Sequence, residues 1–153
     1  MTVSILAAMR SPFAEADGVL AGWHPVDLSV EIADAAITRA GVTAASVDHV
    51  WVGCDEPVGA QGANLARAIV LAAGWPVTLG GTVVEAGPHS GVAALSAAAD
   101  AIEAGRVARA IVLGVSSASI VQPGAAALAR LYGRPWGDGP AARFADDGGL
   151  VPP

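Results

Sequence analysis

The run Ala110-Ile111-Val112-Leu113-Gly114-Val115 carries no polar side chain on either of its alternating faces. A strand that is apolar on both faces must be covered on both, the condition of a strand in the middle of a parallel sheet flanked by helices. That requirement commits the chain to a layered α/β architecture. The segments before it fit. Residues 3–9 form a short apolar run closed by Arg10-Ser11-Pro12, and predict a buried strand and a turn. Residues 17–25 read as a loop, with Asp27 as the N-cap of a helix. Leu28, Ile32, Ala35, Ala36 and Ile37 then recur at helical spacing until Gly41 stops it. Residues 47–52 predict a second strand, broken by Gly53, and residues 64–73 a second helix ended by Gly74-Trp75-Pro76. Residues 82–85 are β-prone, 87–91 make a sharp turn, and 92–104 predict a third helix ended by Gly105. The order is β-α-β-α-β-α-β, a mostly parallel sheet with right-handed crossovers.

Residues 119–153 read differently. They are rich in Gly and Pro, and only 125–131 have a helical pattern. The expected division is therefore an α/β unit over 1–118 and an irregular excursion over 119–153.

Composition narrows the function. Apolar residues are 54% and charged residues 14%, against roughly 45–50% and about 25% in ordinary domains. This excludes disorder, collagen and a coiled coil. It also leads us to expect that another chain covers part of the surface. The net charge is −6, all eight basic residues are Arg, and there is no Lys. A chain without a basic cluster is not built to bind nucleic acid. Without Lys it has no Schiff-base or P-loop lysine chemistry. The single cysteine, Cys54, excludes an internal disulfide and suits a reducing, cytoplasmic setting. No secretory pattern opens the sequence, and no run reaches the ~20 apolar residues of a membrane span.

Few residues stand out chemically. No GxGxxG follows a strand, and His24, His49 and His89 are too dispersed, with no Cys nearby at suitable spacing, to suggest zinc. Asp146-Asp147 reads as a solvated turn. Cys54 closes a predicted strand, where ligands approach open α/β sheets, but the favoured reading is a buried thiol that packs as a small hydrophobe. The turn before the third helix has more geometric interest. A side chain presented there meets unpaired N–H groups and the positive end of the helix dipole. His89 and Ser90 are the candidates. The alternative is that Gly87-Pro88 makes the turn, Ser90 caps the helix and His89 is solvated.

Several stretches, in order, resemble the N-terminal half of the thiolase superfamily. Met9-Arg10-Ser11-Pro12-Phe13 is similar to the ARTPF that closes the family's first strand, and Gly18 through Leu28 to its GxLAxxxxxDL segment. Val50 through Cys54 resembles the VxxGC/N strand end, Asn64-Leu65-Ala66-Arg67 the NPAR motif, and Ala72 through Pro76 the AAGLP motif. Ser90, Gly91, Ala94 and Ala101 through Gly105 resemble the SGxxA…AIxxG pattern of the helix that carries the nucleophile. Tyr132 through Trp136 and Gly148 through Pro152 are similar to the start of the loop domain that some thiolases insert.

The resemblance implies a thiolase-like N-terminal half, with an acyl-CoA or other acyl thioester as substrate and no cofactor or metal. It also implies a nucleophilic Cys two residues before the Ser-Gly pair, and that position here is Pro88. Proline offers no nucleophilic atom, so acyl-cysteine chemistry is not expected. Glu85 stands where many members have Asn, and the cysteine-free turn is closer to sterol-carrier-type thiolases and related acyl-CoA aldolases. Family members have a second half that supplies a catalytic His and a second Cys, and they regain the last strand of the first half after the loop domain. The expected partner is thus a protein carrying the C-terminal half or an intact thiolase-like chain, with this chain inactive alone. A non-catalytic structural subunit is the alternative. An autonomous small-molecule binding domain is a third.

Overall fold

The computed structural model describes residues 2–128. Chain order runs α1 (Pro25–Ala40), β1 (His49–Cys54), α2 (Leu65–Ala72), β2 (Gly80–Val84), α3 (Ser90–Glu103), β3 (Ala110–Val115) and a single turn, α4 (Ala125–Leu128). The three strands form one sheet in the order β2-β1-β3, with both pairings parallel. The α/β class and parallel sheet are those expected, but β3, expected in the middle, is half-buried at an edge of the described sheet, and β1 takes the central place.

The helix ends follow local chemistry. α1 starts two residues before the expected Asp27. His24 is its N-cap, with ring Nδ1 accepting from the Val26 N–H at 3.3 Å, and Pro25 takes the first helical position. Gly41 closes α1 at φ 66°, and its N–H bonds the Thr38 carbonyl. At α2, Asn64, expected as the first residue of the helix, is instead its N-cap: its Oδ1 accepts from the Arg67 N–H at 3.1 Å, while its Nδ2 donates to the Gly81 carbonyl at 3.2 Å. The Arg67 guanidinium reaches back to the carbonyls of Val77 and Leu79. α2 is therefore fastened to the start of β2 through polar bonds as well as packing.

The two sheet faces differ. Val50, Val52 and Cys54 of β1 are fully buried with Ala33 of α1 and Leu65, Ala66, Ile69 and Val70 of α2. Gly81 lies on this same face, where a Cβ would come within 3.0 Å of Ala66. The opposite face, at Gly53 and Gly114, receives α3 through the buried Ala94, Ala98 and Ala101. The outward side of α3 bears Val92 and Leu95, 68% and 46% exposed. Among the described residues one helix, with these two apolar side chains on its outer side, thus packs on one side of a parallel sheet that needs cover on both.

One expected element does not form. Residues 3–9 run without a ladder partner, and Ile5 and Leu6 are exposed. Apolarity selects a strand only where a neighbour accepts its backbone groups, and among the described residues no strand pairs with this segment. Of the expected 125–131 helix, 129–131 lie outside the described residues. So do Asp146-Asp147, Tyr132 through Trp136 and Gly148 through Pro152.

Polar bonds fix the loops at both ends of the sheet. The Asp48 carboxylate accepts from the N–H groups of Ala108 and Arg109 at 2.7 and 3.0 Å. These bonds hold its pKa below the ordinary value, the Arg109 backbone contributing most. At the other end Gln61, 1% exposed, donates to the Glu56 carbonyl at 2.8 Å and accepts from the Ser117 N–H at 2.6 Å. The Glu56 carboxylate takes the N–H groups of Gly124 and Ala126.

Two outcomes follow for stability. Gly53→Ala places a Cβ 2.3–2.4 Å from backbone atoms of Ser90 and Gly91; urea melts should show a loss of about 1–3 kcal/mol or more, as for overpacked cores. For Asp48 the folded pKa is lowered, so its contribution is present above the unfolded value near ~3.9 and is lost as pH falls through the folded one. The melting gap between wild type and Asp48→Ala should therefore hold at neutral pH and close below about pH 4. A pH-independent gap would contradict this account.

Candidate functional site

The turn from β2 into α3 lies outside the carboxyl ends of parallel strands, where α/β proteins place their ligands. Its shape comes from a few residues. Gly87 adopts φ 55°, a left-handed conformation that glycine takes without cost. The Gly87 N–H bonds the Glu85 carboxylate at 2.9 Å, and the backbone closes with His89 N–H to the Ala86 carbonyl and Ser90 N–H to the Gly87 carbonyl. Ala86 and Pro88 form an isolated bridge across the turn.

Ser90 is 3% exposed and its hydroxyl is engaged on both sides. It donates to the Gly87 carbonyl at 2.6 Å and accepts from the Ala86 N–H at 2.9 Å. The O–H proton is committed to the turn, so the geometry gives Ser90 the part of a clamp that shapes the elbow. His89 is the residue preceding α3, is exposed, and makes no side-chain capping bond. The structure thus brings both sequence candidates to one elbow but leaves only the imidazole facing solvent. Pro88, also exposed, stands beside them at the helix entrance.

The elbow sits where it does because the sheet below has no side chains in the way. Gly53 and Gly114 are register partners on β1 and β3, and Gly91 of α3 lies against them, its Cα 3.9 Å from the Cβ position of Gly114. The carbonyl of Ser90 occupies the space that a Gly53 side chain would fill. This seat was not singled out from the sequence. The strand-end glycines 53 and 114 were its only signal.

Cys54 follows that seat on β1 but faces the opposite side, where it is wholly buried in the α1–α2 core. Burial pushes its thiol pKa up, and the nearby carboxylates of Asp55, Glu56 and Glu85 add to the rise. A thiol in that setting is a packing group and a poor nucleophile. Next to it, Asp55 has a buried Oδ1 with no hydrogen-bond partner among the described residues, an acceptor that a further donor would satisfy. His24 caps α1, and His49 bonds Thr82 through Nε2 at 2.9 Å, so neither is near the elbow. Among the described residues no three His, Cys, Asp or Glu side chains gather as a metal site, and no helix is long and apolar enough to cross a membrane.

Comparison with known proteins points the same way as this geometry. Residues 3–133 match the family described as "Thiolase, N-terminal domain". A steroid 3-ketoacyl-CoA thiolase of Mycobacterium tuberculosis is 37% identical over 101 residues, which are 66% of this chain and 25% of that protein. A 3-ketoacyl-CoA thiolase of Bacillus subtilis is 34% identical over 118 residues, 76% of this chain and 30% of its own length. The crystal structure of the Bacillus anthracis acetyl-CoA acetyltransferase superposes with a TM-score of 0.70 at 35% identity, covering 76% of this chain and 29% of that one. The chain therefore spans between a quarter and three tenths of the length of these relatives.

The site geometry makes two measurable claims. Ser90→Ala leaves two backbone groups of the turn without their partner, and should lower stability by about 1–3 kcal/mol in a denaturant titration. A neutral substitution would show that the hydroxyl does not hold the elbow. Iodoacetamide should leave the native chain unmodified by intact mass spectrometry, since Cys54 is buried, and should add one adduct per chain in urea.

Proposed function

Because the chain belongs to the thiolase family, through its N-terminal domain, we propose that it works as the N-terminal unit of an assembly that handles acyl-CoA or a related acyl thioester. The unit is completed by a partner carrying the C-terminal thiolase half. The relatives are ketoacyl-CoA thiolases and acetyl-CoA acetyltransferases, which supports the thioester class. The observation that carries the partner reading is the pair of exposed apolar side chains, Val92 and Leu95, on the outer side of α3. Val92 and Leu95 are exposed above a sheet face that one helix covers. In a chain with 54% apolar residues, such a surface suits an obligate contact.

Chemistry in this unit proceeds without an acyl-cysteine. Pro88 occupies the place where the family resemblance puts the nucleophile, and Cys54 is buried on the other side of the sheet. The reaction class that remains is carbon–carbon bond formation or cleavage next to a thioester carbonyl. There the enolate oxygen needs donors in place, and the first turn of α3 offers backbone N–H groups. His89, exposed at the same elbow, is positioned to donate or accept a proton. Groups that complete the reaction come from the partner.

A second reading is favoured by Ser90. Its hydroxyl is held within the turn and Pro88 is inert, so the elbow is consistent with a structural subunit that stabilises an active partner. The partner's own sequence separates the two readings. A partner with a complete N-terminal half and its own elbow Cys makes this chain structural, whereas one with only the C-terminal half makes the pair a single active unit.

Co-expression of the tagged chain with its neighbouring genes, read by intact mass spectrometry, tests the proposal. The expected result is a stoichiometric chain with thiolase C-terminal features. Leu95→Arg should reduce its recovery about tenfold or more while the melt of the isolated chain is unchanged, because a charge would be buried only in the complex. Recovery of a soluble, monodisperse monomer overturns the partner reading. If His89→Ala leaves the activity of an assembled complex unchanged, the catalytic part falls.

A further inference from the structure

We draw no further inference here: the strongest candidate, the apolar groove between the loop after β1 and the segment after β3, lined by Val58, Ala60, Ile120, Val121 and Leu128, opens beside the last described residue and nothing in the structure shows what covers it.

Discussion

The contact of α3 with two glycines governs this molecule. Gly53 and Gly114 stand side by side in register on β1 and β3, and the first turn of α3 lies on them backbone to backbone. A side chain at Gly53 would push the helix entrance away from the sheet by an amount that no rotamer change could absorb, because the atoms it meets are main chain. Close seating brings the N–H groups of the helix start to the carboxyl ends of the strands. It also sets the elbow at Gly87, Pro88 and His89. The hydrogen bonds of Ser90 and Glu85 then hold that elbow without help from any other element.

Among the described residues two helices pack on one side of the sheet and one helix on the other. Where α1 and α2 pack, β1 presents Val50, Val52 and Cys54 with no exposure, and the Trp75 Nε1–H, in the turn after α2, donates to Asp34 Oδ1 of α1 at 3.0 Å. Where α3 packs, small Ala side chains meet the strands, and the helix turns Val92 and Leu95 outward. Both sides obey the same rule, that parallel strands need cover. The difference is that the outer surface of α3 mixes the exposed Val92 and Leu95 with the polar Ser96, Asp100 and Glu103. The segment that matches the relatives makes up 25–30% of their own length.

Much of the fold was legible because it rests on local signals. The apolar runs at β1 and β3, the Asn64 cap and the terminating glycines each specify an element within a few residues. Boundaries moved where local chemistry had an alternative. His24 and Pro25 start α1 ahead of Asp27, since an imidazole nitrogen accepts the capping bond as a carboxylate would. Residues 3–9 show the limit of the method: their pattern is that of a strand, but a strand exists only in a ladder. The elbow residues were found from the turn pattern, whereas the division of labour between them was not. Ser90 as a clamp and His89 as the exposed group depend on which backbone atoms each side chain meets.

The sequence by itself determined the α/β class, the family and the absence of a nucleophile at position 88, because composition, periodicity and residue identity are properties of the chain in one dimension. Only the tertiary structure decided that Gly53, Gly91 and Gly114 meet, that Cys54 is turned away from the elbow, and that Val92 and Leu95 of α3 are exposed among the described residues. These depend on strand register and on which face each residue takes, and a shift of one residue would reverse every one of them.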